Sequence, residues 1–273
     1  MQLYYNNIKT NISIDDPWFR QARDLYKRTF KDSEEFCDVV FQSVKALSIS
    51  AYNNQVVSCA FIREKLLNVG GVFRKVAFMF GVATEENFRN QGFSRKVIEN
   101  SFEHLKKEYD YLLLCPANFG LYGFYFKFGF EPLTYFSYKK GTIIPNGMNI
   151  IEGTINDAKQ VYKIFLTENE SLVAQQRSLD QTKTRLMEVF ADNGKLFFVE
   201  RDDEKIGYFL LEDGKIVSEH VNVDVKYDDA SDYIIVDSSK NIVERERCPG
   251  VVVKSLNGNS IESIRGIRFY EMW

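Results

Sequence analysis

The sequence predicts an α/β (α+β) fold, a mixed sheet with helices on both faces, in the order β-α-α-β-β-β-α-β-α-β. Three observations carry this reading. Two stretches near the N-terminus combine helix-capping residues with apolar residues at helical spacing. Apolar runs joined by Asn53-Asn54 and Gly70-Gly71 have the form of consecutive hairpins. A run from Val76 to Ala83 then gives way to a polar turn, a helical pattern and the buried-strand signature Tyr111-Leu112-Leu113-Leu114-Cys115, ended by Pro116.

In chain order, Asp16-Pro17 before Trp18-Phe19 starts a helix: aspartate caps and proline suits the first turn. Ala22, Leu25, Tyr26 and Phe30 give that helix one apolar face. Asp32 with Glu35 has the form of a capping box for a second helix through Val39, Val40 and Val44. Residues 47–52 and 55–62 read as strands about a tight turn, and the strand after Gly70-Gly71 ends at Thr84. Phe93, Val97, Ile98, Phe102 and Leu105 line the next helix. The pattern breaks between Gly141 and Gly147. Beyond it, residues 156–169 read as a helix with Val161, Ile164 and Phe165 inward. Ser178 and Gln181 form a capping box for a helix to Phe190, which Asn193-Gly194 ends. Residues 195–201 and 206–211 flank Asp202-Asp203-Glu204 as a further hairpin. Two helices and a hairpin echo the first half, so two domains are expected, 1–145 and 146–273. Residues 224–246 carry no assignable pattern.

Composition narrows the function classes. Apolar residues make up 45% of the 273 residues, enough for a substantial core. With 35 basic against 38 acidic residues and a net charge of −3, nothing favours nucleic acid or an acidic membrane surface as partner. The first residues lack the basic and apolar regions of a signal peptide, and no apolar run approaches the length of a membrane span. Cys37, Cys59, Cys115 and Cys248 are far apart in sequence and the histidines are two, His104 and His220. A disulfide framework or a metal site is therefore not expected, and a reduced cytoplasmic location fits best.

The stretch richest in chemistry is Arg89-Asn90-Gln91-Gly92-Phe93-Ser94. It lies between a strand end and a helix start. The first N–H groups of a helix have no internal partner and carry the positive end of its dipole, so the place suits an anion. Gly92 removes the side chain where a phosphate would approach, and Arg89 adds a forked, permanent charge. An ordinary solvated turn would account for the loop taken alone. A nucleotide P-loop is disfavoured because no Gly-Lys-Ser or Gly-Lys-Thr follows, and G-x-G-x-x-G is absent.

Together with its surroundings, this loop resembles the GNAT acyltransferase superfamily. Arg89 to Ser94 is similar to its R-x-x-G-x-[GAS] pyrophosphate loop, and Asn118, seven residues before Tyr125, to its second motif. The run Tyr125-Phe126-Lys127-Phe128-Gly129-Phe130-Glu131-Pro132 most resembles the branch related to enhanced-intracellular-survival acetyltransferases. The resemblance is carried by residues 1–140. It implies a GNAT acyl-CoA N-acyltransferase fold, a mostly antiparallel mixed sheet flanked by helices. The second half lacks the loop and is expected to be a degenerate GNAT-like domain without its own cofactor.

The implied activity is transfer of an acetyl group from acetyl-CoA to the amine of a small molecule or peptide, by direct attack. Arg89, Asn90, Gln91, Gly92, Phe93 and Ser94 would hold the pyrophosphate, the strand edge Val82, Ala83 and Thr84 the pantetheine arm, and Asn118 would also bind the cofactor. Tyr125 would protonate the departing thiolate, with Tyr122 as the neighbouring candidate; the same aromatic run also suits plain packing. The strand before the loop, residues 74–82, carries no carboxylate to serve as base. In the survival-protein branch the terminal carboxylate takes part in proton transfer, here Trp273 in a shorter chain; a water chain or an amine arriving neutral serves equally. Glu34, Glu35 and Asp38 fall where the acceptor groove is expected, or on a solvated helix face. A homo-oligomer is compatible with this reading. A CoA-binding regulatory module without turnover is the alternative, and an amine panel separates the two.

Overall fold

The structure, a computed structural model, describes residues 4–140, 143–145, 148–168, 173–212, 215–221, 225–227, 232–235 and 247–264. Strand β1 (Tyr4–Thr10) leads into α1 (Pro17–Phe30) and α2 (Glu34–Phe41), then β2 (Val44–Tyr52), β3 (Gln55–Val69) and β4 (Val72–Thr84). Helix α3 (Phe93–Leu105), β5 (Tyr111–Leu114), the short α4 (Tyr122–Phe126) and β6 (Glu131–Pro132) follow. Next come β7 (Tyr135–Lys140), β8 (Ile143–Pro145), β9 (Asn149–Glu152), α5 (Ala158–Glu168), β10 (Val173–Gln176) and α6 (Leu179–Ala191). The chain continues through β11 (Lys195–Arg201), β12 (Glu204–Glu212), β13 (Lys215–Val221), β14 (Val225–Tyr227), β15 (Asp232–Ile235), β16 (Arg247–Pro249) and β17 (Val252–Ser255).

Local signals account for most of these elements. Asp16 caps α1 by accepting from Trp18 N at 2.8 Å, with Pro17 in the first turn. Asn53 and Asn54, at φ 48° and 62°, make the β2–β3 turn, a left-handed pair that matches strand twist. Ser178 and Gln181 form the expected capping box on α6. Helix α2 differs from expectation. Its cap is Ser33, which accepts from Phe36 N at 3.0 Å, and the helix stops at Phe41, so Val44 opens β2. Asp32 instead accepts the Tyr26 hydroxyl at 2.6 Å. Helix α5 starts at Ala158, after a turn capped by Thr154.

The large sheet runs β1-β2-β3-β4-β5-β17-β6, with β10 on the far stretch of β3. All its pairs are antiparallel except β4 with β5. Successive residues of β3 serve opposite faces. Cys59 and Phe61 pack with Phe19, Leu25 and Phe41 of α1 and α2, while Ala60 and Ile62 pack with Val97 and Ile98 of α3. A second sheet, β13-β12-β11-β9, carries α5 and α6, with Phe165, Val189 and Phe198 at its core.

The boundary expected at 145 does not separate the sheets. Strand β17, from residues 252–255, fills the place between β5 and β6, and Tyr122 Oη donates to Gly250 O at 3.1 Å just ahead of it. Val251, Val252 and Val253 are fully buried there. Trp273 and part of the 141–147 break lie outside the described residues. Among the described residues no helix is long and apolar enough to cross a membrane, and no group of three or more His, Cys, Asp or Glu could hold a metal ion.

A buried ionic contact ties α6 to β3. Arg63 meets Glu188 at 2.9 Å, each side chain about 5% exposed, and Arg185 reaches Glu212 at 3.1 Å and Glu188 at 3.5 Å. Burial alone would raise the Glu188 carboxyl, but Arg63, Arg185 and Lys65 hold it below the ordinary carboxylate value. Its contribution is therefore present above the unfolded carboxylate value and lost as pH falls through the lowered folded one. Glu188→Ala, which strands Arg63 in the interior, is expected to cost roughly 3–5 kcal/mol in urea unfolding. A loss under 1 kcal/mol would show that water already solvates the pair.

Candidate active site

The site begins where two parallel strands part. β4 and β5 pair only from Ala77 to Met79 with Leu112 to Leu114. β5 then stops, and Pro116, with no N–H to donate, carries the chain away. β4 continues to Thr84 without a partner on that side among the described residues. The wedge between them opens into a cavity of about 490 Å³.

Its wall on the β4 side contains a bulge. Cys59 faces Ala83 and Phe61 faces Phe80, so Gly81 and Val82 together oppose Ala60. Gly81 sits at φ +59°, and a Cβ there would lie 2.7 Å from the Tyr26 ring. Glycine is thus required twice, by backbone conformation and by the ring packed on it. Gly81→Ala is expected to lower unfolding stability by roughly 2–4 kcal/mol, through left-handed strain plus overpacking. An unchanged urea midpoint would show that the Tyr26 ring moves aside freely.

The expected site residues fall into two groups. Val82, Asn118 and Tyr125 line the cavity. Arg89, Asn90, Gln91, Gly92, Phe93 and Ser94 lie farther along, at the start of α3, and do not line it; Ala83 and Thr84 join the two. Ala83 is buried and its carbonyl accepts from Ser58 Oγ at 2.9 Å, so its side chain belongs to the core. Phe93 is likewise a core side chain, edge-on to Phe88 at 5.6 Å, so its use at an anion site would be its backbone. Gly92 is the N-cap of α3 at φ +81°, with no side-chain cap on the helix. A Cβ at Gly92 would meet nothing within 4 Å, so the space over the first turn is open. Arg89 Nε donates to Thr84 O at 3.3 Å and Gln91 Nε2 to Asn87 O at 2.8 Å, which pins the loop across β4's end. Asn90 takes φ +60°, and Ser94 is half-buried.

The two tyrosines differ in their hydroxyls. Tyr122 is committed to Gly250 O and so to β17. Tyr125 is 6% exposed, and its hydroxyl has no hydrogen-bond partner among the described residues. Burial raises its phenol well above the ordinary tyrosine value, and the nearby Cys115 adds to this. Cys115, also in the cavity wall, is pushed up to about 12 by burial.

Two of the three surface carboxylates considered for an acceptor groove are engaged in ion pairs. Glu34 pairs with Arg23 and Lys27, Asp38 pairs with Arg23 at 2.7 Å, and Glu35 is exposed. The carboxylates in the cavity wall are Asp32 and Asp192. Asp32 was hidden in the sequence by its plausibility as a cap. Asp192 follows a helix in the second half, and no local signal ties it to the first sheet.

Comparison with known proteins agrees with this geometry. Residues 13–133 match the model of the acetyltransferase (GNAT) domain. Similar solved structures include a conserved protein of unknown function from Enterococcus faecalis V583, described as a probable N-acyltransferase: TM-score 0.66 and 14% identity over 96% of this chain and 74% of that one. Eis1 from Mycobacterium abscessus gives a TM-score of 0.61 and 10% identity over 93% of this chain and 74% of its own. A GCN5-related N-acetyltransferase from Kribbella flavida gives 0.60 and 13% over 93% and 72%. No curated protein matches the chain. Over residues 13–133 the chain is thus similar to GNAT acetyltransferase domains. The fold is that of the solved GNAT-type N-acetyltransferases.

Proposed function

We propose that the chain transfers an acetyl group from acetyl-CoA to a primary amine by direct attack, with Tyr125 as general acid. The observation that carries this reading is the wedge between β4 and β5, on whose wall stands the buried Tyr125 phenol, with no hydrogen bond to another described residue. The residues fit the cofactor. The α3 N-terminus is open above Gly92, so the pyrophosphate could meet the N–H groups of the first turn and Arg89. The unpaired edge of β4, at Val82 and Thr84, can hydrogen-bond the peptide-like pantetheine amides, and Asn118 lines the opposite wall.

When bound, acetyl-CoA supplies a thioester carbonyl at which the C–N bond forms and the C–S bond breaks. Tyr125 gives its proton to the departing sulfur, and the proton lost by the acylated nitrogen restores the phenol through water. Because its phenol is raised, Tyr125 stays protonated across the neutral range, so its role adds no fall in rate there as pH rises. Residues from 146 onward are read as a degenerate domain without a cofactor loop. They complete the first unit, with β17 in its sheet and Asp192 in the cavity wall. A CoA-binding module without turnover drew its motive from the missing carboxylate on β4, and the two aspartates in the cavity weaken it.

Calorimetry is expected to give one CoA per chain. Gly92→Asp is expected to weaken binding by roughly 2–4 kcal/mol, since it sets a carboxylate against the pyrophosphate. Unchanged affinity in a folded variant would sink the loop assignment. Tyr125→Phe is expected to lower kcat roughly 10- to 1,000-fold with little change in cofactor affinity. Tyr122→Phe should act on stability rather than rate. Parent-like turnover in Tyr125→Phe would make this tyrosine a packing residue.

A further inference from the structure

We infer that the acceptor is a compact amine with one cationic nitrogen on an apolar body, and that Asp32 binds that nitrogen. The inference rests on the acyl-transfer reading and names the substrate class of the same cavity.

Away from the β5 wall, the cavity is lined by Phe30, Phe36, Val40, Phe80 and the ring of Tyr26. These offer apolar surface and ring faces, which suit an alkyl or aryl body and give a sugar or a peptide backbone little to bond. Three charged side chains reach the wall: Asp32, Asp192 and Arg63. Arg63 is committed. It donates to Val40 O at 2.9 Å, pairs with Glu188 at 2.9 Å and lies over the Phe80 ring at 4.5 Å. It therefore acts as part of the wall, its charge matched by Glu188, and it is not set to receive an anionic acceptor.

Asp32 is placed differently. Its Oδ2 accepts the Tyr26 hydroxyl at 2.6 Å, which fixes the carboxylate, while Oδ1 has no partner among the described residues. The Tyr26 ring that anchors it packs on Gly81, in the β4 bulge that borders the wedge. Asp32 is thus held to the same stretch of β4 that would carry the acyl group. One carboxylate so placed can take one ammonium and orient it, and that nitrogen gives a proton to solvent before it attacks the thioester. A polycation would bring further charges among phenylalanines, and an unpaired buried charge is strongly disfavoured. The rim carboxylates Glu34 and Asp38 are already taken by Arg23 and Lys27.

The test measures thiol release from acetyl-CoA with 2-phenylethylamine and hexylamine against spermidine and a pentalysine peptide. Calorimetry of 2-phenylethylamine on the CoA-loaded protein runs alongside. The apolar amines are expected to show kcat/KM at least about tenfold above the polycations. Asp32→Asn, nearly isosteric, is expected to raise KM for 2-phenylethylamine roughly 10- to 100-fold with kcat less affected. Inhibition by uncharged 3-phenylpropanol should be unchanged in that variant. Preferred turnover of the polycations would overturn the inference and leave acetyl transfer standing. Asp32-dependent binding of 2-phenylethylamine without thiol release would uphold the acceptor class and sink acetyl transfer. Neither binding nor turnover of the apolar amines, in protein that binds acetyl-CoA, overturns it, as does an unchanged KM in Asp32→Asn.

Discussion

The parting of β4 from β5 is the constraint on which the rest depends. Two parallel strands that stayed paired to their ends would leave no wedge and no free backbone edge. The register holds for three pairs, Ala77–Leu112 to Met79–Leu114, and then fails for local reasons on both sides. On β5, Pro116 follows closely and cannot donate to a ladder. On β4, the extra residue at Gly81-Val82 turns the strand, and the bulge survives because Gly81 accepts φ +59° beneath the Tyr26 ring. The same ring carries the hydroxyl that holds Asp32. One packing contact thus shapes the strand edge and fixes a carboxylate in the cavity beside it.

The second half of the chain is coupled to this wedge through the sheet and through charge. β17 pairs with β5 on the side away from β4, so the wedge has a stiff outer wall made from residues 252–255. Arg63 reaches from β3 to Glu188 on α6 while its guanidinium also covers the Phe80 ring at the cavity. A buried ion pair contributes less to stability than its Coulomb term suggests, because both groups give up water. Its clearer effect is positional. It seats α6 against β3, and with it Asp192, the residue that follows the helix and reaches the cavity wall.

What the sequence disclosed was local. Asp16 before Pro17, Asn53-Asn54 between strands, Ser178 with Gln181, and Gly92 ahead of an apolar helical stripe each act within a few residues, so their pattern is visible in the chain. What it concealed depended on distant partners. Asp32 and Ser33 are both good caps, and the Tyr26 hydroxyl decides between them by taking Asp32 for itself. Val251-Val252-Val253 follows Pro249-Gly250 as a short apolar run, but nothing nearby says that it lies between β5 and β6. Within the candidate site, the loop and Tyr125 stood out through motif spacing. Tyr26 and Asp192 carry no motif and enter the cavity by packing alone.

The cavity's chemistry also argues between two ways of moving an acyl group. Cys115 stands in its wall near Tyr125, and a thiol there could in principle accept the acyl group before the amine does. A thiolate is the nucleophile in such a step, and burial pushes Cys115 up to about 12, leaving little thiolate near neutrality. The same burial acts in the opposite functional sense on Tyr125. It keeps the phenol protonated, which is the state a proton donor needs. One apolar environment thus disfavours a covalent route and suits the acid role proposed for Tyr125. Asp32 stands half-buried on the wall that the phenylalanines line, its carboxylate fixed by the Tyr26 hydroxyl. The proposed direct attack would use both parts of the cavity: Asp32 to orient the nitrogen as it arrives as an ammonium, solvent to take the proton that frees its lone pair, and the neutral Tyr125 phenol to meet the departing sulfur.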